Sequence, residues 1–357
     1  MKRKIGRKSW AAILLVAGML PVLTGCGLKV GRTEGGETRE EKTENTLSEV
    51  QAAEPEKVSY TVWNAYWNLD GVEAQVEEMA ENIQNISYFA AYFDKDDKVF
   101  IPEETKAFYE KTGAVYKERG WNCYLTIVND QILENGTSSL KSTELLYRLL
   151  SDETVYQAHA EEILTLALEY GYDGLEIDYE NIRKDDTLWG YFMPFIRYLY
   201  KRCNEEGLML RVIIETQIEP EKIEWVEGPT YVVMCYNLYG GHSGPGPKAD
   251  RTFLEDIMEK MSCVPGKMDY ALANGGFDWS DDGSVKGITT AKAEKLLEES
   301  GAVAERDDIS AARYFTYEDE NGIGHEVWYA DEETMQAWMF WLQSGENYAF
   351  SIWRLGE

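Results

Sequence analysis

Eight short β-rich runs alternate with amphipathic helical segments along most of the chain. The runs are 58–67, 85–93, 122–129, 174–180, 208–216, 231–239, 269–277 and 348–355. Segments between them, such as VEAQVEEMAENIQ and VYQAHAEEILTLALEYG, place apolar residues at helical spacing. Alternating strands and helices favour a parallel sheet with right-handed crossovers, and eight such units can close a barrel. The sequence therefore predicts an α/β fold, a (β/α)8 TIM barrel.

One interval between the seventh and eighth runs breaks the alternation. Residues 280–330 contain a helical segment, TTAKAEKLLEESG, and two alternating runs around Asn321-Gly322, a dipeptide typical of hairpin turns. We expect a small α+β insertion here, between strands seven and eight. It would form one wall of a groove at the carboxyl end of the barrel.

The first 56 residues differ in composition from the rest. Residues 1–25 combine a basic start with a short apolar run, which is typical of an export signal. The tetrapeptide Leu23-Thr24-Gly25-Cys26 resembles a bacterial lipobox, in which the signal is cut before a cysteine that is then lipidated. Residues 26–56 are polar, and 27–56 contain no aromatic side chain, which indicates a disordered tether.

These features predict a domain at 57–357, lipid-anchored through Cys26 on the outer face of a bacterial cytoplasmic membrane. The alternatives are an ordinary secreted protein in which Cys26 is incidental, or an uncleaved anchor helix.

The charge balance limits the partners that suit the surface. The chain has 64 acidic and 35 basic residues, a formal net charge of −29. Because such a surface repels polyanions, we expect no nucleic-acid partner and favour a neutral or mixed-charge ligand. The three histidines are far apart, and Cys123, Cys203, Cys235 and Cys263 lack metal-like spacing. We therefore expect buried thiols, no metal and no organic cofactor, in a monomer.

The fourth run, within YGYDGLEIDYENI, places four carboxylates on a segment that otherwise has the character of a buried strand. Residues two apart share a face, so Glu176, Asp178 and Glu180 form one row, with Glu180 at the carboxyl end where barrel enzymes place catalytic groups. Like charges about 7 Å apart raise the pKa of at least one member, which suits a general acid. A buried carboxylate network or a calcium site is the alternative.

DGLEIDYE resembles the D-G-x-D-x-D-x-E signature of glycoside hydrolase family 18, the chitinase-like enzymes. Asp173, Asp178 and Glu180 match this signature, and Glu176 stands where the family usually has Asp. The resemblance implies substrate contact by Asp173 and catalytic roles for the other three.

Two further motifs extend the resemblance. VMCYN resembles the family's M-x-Y-D, with Met234 and Tyr236 matching and Asn237 replacing Asp, and SIWRLG resembles the end of the family's last strand. Trp353 would then form the floor of the sugar site, and Met234 and Asn237 would lie at the substrate. Further candidate sugar contacts near strand ends are Tyr66, Trp67 and Tyr239.

The resemblance implies retaining hydrolysis of a β-linked N-acetylhexosamine glycan, in which the acetamido group of the substrate is the nucleophile. Glu180 would act as acid and then base, and Asp178 would orient the acetamide N–H. Tyr236 would hydrogen-bond the acetamide oxygen. Glu176 would share a proton with Asp178.

Three classes of function compete at this point. The first is a tethered glycosidase acting on N-acetylglucosamine-containing polymers, with peptidoglycan as the nearest substrate and chitin or N-glycan fragments as the next. The second is a lectin-like glycan-binding lipoprotein with little or no turnover. The third, a solute-binding lipoprotein, predicts two lobes joined by a hinge.

Overall fold

The computed structural model describes residues 58–133, 137–343 and 348–356. The predicted signal peptide, Cys26 and the tether lie outside these residues. Within the described part of the chain, no helix is both long and apolar enough to cross a membrane.

The eight predicted runs form one closed parallel barrel. Each strand pairs with the next along the chain, and the last pairs with the first through Phe350 opposite Tyr60. The fold prediction is therefore confirmed, and the closed barrel excludes the two-lobed architecture. The strands are β1 Tyr60–Ala65, β2 Ile83–Phe93, β3 Asn122–Ile132, β4 Gly174–Asp178, β5 Met209–Ile214, β6 Thr230–Met234, β7 Met268–Ala273 and β8 Tyr348–Trp353. Two-residue strands, Val99–Phe100 and Ser138–Ser139, extend β2 and β3 with antiparallel hairpins.

Most of the α-helices in the described residues begin after a residue whose side chain caps them, and the exceptions follow Gly71 and Pro102. Asp152 and Asp185, for example, accept hydrogen bonds from backbone N–H groups of the first helical turn. The α-helices are α1 Val72–Glu78, α2 Glu103–Glu118, α3 Thr143–Leu150, α4 Glu153–Tyr170, α5 Asp186–Glu206, α6 Arg251–Met261, α7 Thr290–Ser300 and α8 Glu332–Leu342. Between β5 and β6, a 3-10 turn at Pro220–Lys222 replaces the expected helix.

The barrel separates an apolar outer layer from a mixed interior. Leu175, Ile177 and Tyr179 face outward into the main hydrophobic core that the helices cover. The interior combines a small apolar cluster around Trp63 with buried polar groups. Cys123, Cys203 and Cys235 are buried free thiols and Cys263 is an exposed one, so the prediction of thiols rather than disulfides is confirmed for these four.

The insertion between β7 and β8 is an antiparallel five-stranded sheet with α7 packed on it, as predicted. Its hairpin turns at Asn321–Gly322, between two of its strands. The strands are Gly275–Ser280, Val285–Ile288, Glu305–Arg306, Arg313–Glu318 and Gly324–Ala330.

The predicted boundary of this insertion was wrong. The run 269–277 is two strands rather than one, and the chain leaves the barrel at Asn274. Gly275 has a φ of 62°, which favours glycine, and a Cβ on Gly276 would lie 1.7 Å from the carbonyl oxygen of Trp328. The glycine pair therefore breaks the strand and allows close pairing within the insertion.

Candidate active site

The carboxylate row runs from the barrel interior to its carboxyl end. Glu176 is completely buried, Asp178 is 8% exposed at the end of β4, and the Glu180 side chain is 19% exposed in the following loop. The alternation of faces predicted for this strand is therefore observed. The three carboxyl groups therefore have different surroundings, from the barrel interior at Glu176 to the carboxyl end at Glu180.

Glu176 is saturated with hydrogen-bond donors. Its carboxylate accepts from the Trp63 indole N–H, from Ser87 Oγ at 3.2 Å, from Thr126 Oγ1 at 2.8 Å and from Arg211 Nε at 2.8 Å. A guanidinium and three other donors occupy this carboxylate, and no hydrogen bond joins it to Asp178 among the described residues. The proton sharing expected between Glu176 and Asp178 is therefore not observed. The charge of Glu176 acts on Asp178 from deeper in the barrel.

Arg211 is the centre of this interior network. Its guanidinium also pairs with Asp269 at 2.8 Å and donates to Thr61 at 3.1 Å and to Ser351 at 2.9 Å. The sequence analysis missed Arg211 because it sought a counter-ion within the acidic segment itself. Glu176 lies directly opposite Arg211 in the β4–β5 register. A lone basic residue inside a β-branched run was the available signal.

The carboxyl group of Asp178 is incompletely hydrogen-bonded. Its Oδ1 is buried and has no hydrogen-bond partner among the described residues. Burial raises the pKa of Asp178 well above its ordinary value, and the charge of Glu180 raises it further. An unmatched buried carboxyl oxygen is costly, so this atom is suited to a ligand N–H donor.

Glu180 is held on both its backbone and its side chain. Its N–H donates to Asn129 Oδ1, and Asn129 Nδ2 donates to its carbonyl, both at 3.0 Å. Lys141 Nζ lies 2.5 Å from Glu180 Oε2. Burial raises the pKa of Glu180, and the Lys141 ammonium opposes that rise. Lys141 is itself positioned by its backbone N–H, which donates to Asp130 Oδ1 at 2.7 Å.

The loop after β4 is anchored by Glu215 at the end of β5. Glu215 accepts the Asn181 backbone N–H at 2.9 Å and pairs with Arg183 at 2.5 Å. Sequence reasoning missed Asn129 in β3, Lys141 in the loop after β3 and Glu215 after β5, because all three lie outside the acidic segment. For Glu215, its position directly after a strand was an available signal.

Tyr236, Met234 and Trp353 pack on the same interior cluster as Trp63. Burial raises the pKa of Tyr236, and Asp178 and then Glu180 add to the rise, so the phenol remains a hydrogen-bond donor beside both carboxyl groups. Trp353 packs edge-on against Trp63, with ring centroids 6.0 Å apart. The structure thus brings the residues of three distant motifs to one end of the barrel.

The remaining predicted contacts divide into two groups. Trp67 and Tyr239 are 42% and 37% exposed, and exposed Asn237 adopts a φ of 60°. Tyr66 is partly buried and packs between Trp67 and Tyr92. Trp67, Tyr239 and Asn237 are therefore accessible to a glycan, whereas Tyr66 mainly supports them.

Asp173 lies at the opposite, amino-terminal end of β4. It accepts the Cys123 backbone N–H at 2.9 Å and pairs with Lys117 at 2.9 Å. The substrate contact expected for Asp173 is therefore corrected. This side chain ties α2 and β3 to the start of β4.

Several proteins of known name resemble this chain in sequence or in fold. No protein-family model matches the chain. It is 26% identical over 250 residues to the cortical fragment-lytic enzyme of Bacillus subtilis, covering 63% of this chain and 56% of that protein.

Two solved structures resemble the fold. The Bacillus cereus spore cortex-lytic enzyme SleL has a TM-score of 0.70 at 19% identity, over 85% of this chain and 72% of that one. A chitinase from Chromobacterium violaceum has a TM-score of 0.65 at 17% identity, over 84% of this chain and 95% of that one. The chain shares their barrel fold.

Proposed function

We propose that this chain is a glycoside hydrolase of the chitinase type that cleaves β-linked N-acetylglucosamine-containing glycans with retention of configuration. Asp178 carries the proposal, because a buried carboxyl oxygen without a partner lies at the mouth of the barrel beside Glu180, Tyr236 and Trp353. Relatives named as cortex-lytic enzymes and chitinases support the same class of substrate.

The chemistry follows from the position of each group. Trp353 offers an apolar ring to the sugar face. Asp178 Oδ1 accepts the acetamide N–H and Tyr236 donates to the acetamide oxygen, so the acetamide oxygen is turned toward the anomeric carbon. The acetamide oxygen attacks the anomeric carbon while Glu180 protonates the glycosidic oxygen, and the bond between the anomeric carbon and that glycosidic oxygen breaks. Glu180 then removes a proton from the water that opens the oxazolinium ion.

The proposed cellular location is based on the predicted signal peptide and lipobox at residues 1–26. A lipid anchor at Cys26 would hold the barrel outside the cytoplasmic membrane, next to peptidoglycan. Peptidoglycan is therefore the proposed substrate, ahead of chitin or N-glycan fragments.

One observation favours a second candidate, a glycan-binding protein with little turnover. Lys141 holds Glu180 in an ion pair, and a paired ammonium favours the charged carboxylate over the protonated acid that catalysis requires. Turnover then needs this pair to open or exchange when the glycan enters.

Hydrolysis by the full chain in detergent decides between the two. We would incubate N-acetylglucosamine oligomers and purified peptidoglycan with the native protein, Glu180→Gln and the control Glu219→Gln, an exposed carboxylate that pairs with Lys222. We expect cleavage by the native protein and the control, and a loss of about 100-fold or more in Glu180→Gln. Binding without cleavage by all three proteins would leave the lectin as the function.

A further inference from the structure

Two basic residues at the carboxyl end of the barrel are joined through Asn274, and neither side chain pairs with a carboxylate among the described residues. Lys248 follows β6 and Arg354 follows β8, and both are bound to Asn274 at the end of β7. Lys248 Nζ donates to the Asn274 carbonyl at 2.7 Å, and the Arg354 N–H donates to Asn274 Oδ1 at 3.0 Å. The geometry points to an anion site formed by Lys248 and Arg354, which binds a carboxylate carried by the glycan.

Elsewhere around the barrel, buried or half-buried cations are compensated. Arg211, Arg183 and Lys141 each pair with a carboxylate. Among the described residues, no carboxylate pairs with Lys248 or Arg354. This is unexpected in a chain with a net charge of −29. An uncompensated pair of neighbouring cations is unfavourable until an anion joins it.

The pKa values agree with this geometry. Burial lowers the pKa of Lys248 to about 7, and the charge of Arg354 contributes to that fall. Burial alone lowers the pKa of Arg354. A bound carboxylate would reverse both effects by favouring the charged forms.

A purely structural role for Lys248 and Arg354 would leave most of their hydrogen-bond donors without an acceptor. The Lys248 ammonium lies 5.4 Å from the Phe277 ring and has one hydrogen bond, although it carries three donors. The Arg354 guanidinium has a hydrogen bond only to the Leu355 carbonyl among the described residues. Both residues are partly exposed.

Neighbouring aromatic rings indicate where the anion would sit. The Arg354 guanidinium lies 6.0 Å from the Trp353 ring and 5.9 Å from the Trp67 ring. Because Trp353 is the proposed floor of the sugar site, an anion on Arg354 would belong to a substituent of that sugar or of its neighbour. The inference rests on the proposed function for this placement. It selects a glycan with a carboxylate substituent, such as the lactyl ether of muramic acid, over neutral chitin.

Binding and cleavage are measured separately so that the two proposals can fail independently. The binding probes are a peptide-free disaccharide of N-acetylglucosamine and N-acetylmuramic acid and the same compound with its carboxyl group reduced to an alcohol. A third probe carries a stem peptide on the lactyl group, which moves the carboxylates onto the peptide. Binding uses the full chain with Glu180→Gln to prevent turnover, and cleavage uses peptidoglycan and neutral oligomers with the native chain.

We expect the carboxylate disaccharide to bind about tenfold or more tightly than its reduced form, because a hydrogen bond to a charged group is lost on reduction. Lys248→Met and Arg354→Met should each reduce this preference, and Lys248→Arg should retain it. The control is Lys267→Met, an exposed lysine before β7 at the opposite end of the barrel, which should leave the preference unchanged. If the peptide-bearing probe shows the larger dependence on the two cations, the carboxylate comes from the stem peptide.

Equal binding of the acid and reduced probes overturns the inference, as does a preference that survives both methionine substitutions. The inference is also overturned if the Glu180→Gln chain binds neither the carboxylate disaccharide nor its reduced form. A carboxylate preference without any cleavage would support the anion site and contradict the proposed hydrolase activity. Cleavage of peptidoglycan and neutral oligomers without a carboxylate preference would support the hydrolase activity and contradict the anion site.

Discussion

Three carboxyl groups on one strand differ in the donors around them, and this difference assigns their roles. Glu176 is surrounded by donors. Asp178 has one buried oxygen without a partner among the described residues and a raised pKa. Glu180 is paired with Lys141, whose side chain is half exposed. Only Asp178 and Glu180 can therefore change their hydrogen bonding or protonation when a ligand arrives.

Lys141 is expected to control the pH dependence through Glu180. The ammonium favours the carboxylate and so lowers the pKa of Glu180, which burial raises. In Lys141→Met this opposing charge is gone, the pKa of Glu180 rises, and the protonated acid persists to higher pH. The alkaline limb of kcat/KM against pH should move to higher pH, whereas Lys141→Arg should keep the native profile. A limb that does not move in Lys141→Met would show that Lys141 does not set the pKa of Glu180 in the free enzyme.

Arg211 is expected to be essential for stability. Arg211→Met would leave Glu176 and Asp269 buried without their counter-ion. The free energy of unfolding in urea should fall by about 3–5 kcal/mol. The matched control is Arg119→Met, which breaks an ion pair with the largely exposed Glu77 and should change stability little. Equal losses in the two variants would contradict a special role for the interior network.

Residues within one strand were predictable, and their partners from other strands were not. The two-residue period placed Glu176, Asp178 and Glu180 on one face. Arg211 and Lys141 come from other segments, and which strand lies beside β4 depends on closure of the barrel. The Asp173 prediction was wrong for a related reason, because a signature match does not state which end of the strand a residue occupies.

At the scale of elements, the eight strands were visible because buried parallel strands are continuous apolar runs. The boundary after β7 was hidden because ALANGGF has no polar interruption except Asn274. The turn at Gly275 depends on its positive φ, which composition alone does not reveal. The missing helix between β5 and β6 was not foreseen either, since a short turn is enough to join these neighbours.

The close approach at Gly276 gives a test of the insertion. Gly276→Ala would place a methyl group against the backbone carbonyl of Trp328, which belongs to the paired strand and cannot rotate away. We expect a loss of roughly 1–3 kcal/mol in unfolding free energy and faster proteolysis within 275–330. Gly287→Ala on the adjacent strand is the control, because its nearest neighbour, Phe277 Cε1, would be 3.8 Å away. Similar stability for both variants would contradict the packing described for this sheet.

At the scale of the whole molecule, the chain is acidic, and its net charge of −29 disfavours contact with polyanions over the surface in general. Lys248 and Arg354 are local exceptions, and Arg354 lies beside Trp353. The proposed anion site would therefore admit a carboxylate against this general repulsion. Binding there should weaken with added salt, because part of the attraction is screened.

The proposed lipid anchor at Cys26 would decide where the barrel works. Two acyl chains give stable membrane attachment, whereas a polar tether alone gives none. Cys26→Ser should therefore move the protein from the membrane fraction to the soluble fraction and abolish incorporation of labelled palmitate. Cys263→Ser, at an exposed thiol in the barrel domain, should change neither. If Cys26→Ser stays in the membrane, residues 1–25 act as an uncleaved anchor, and if the native protein is already soluble, Cys26 is incidental.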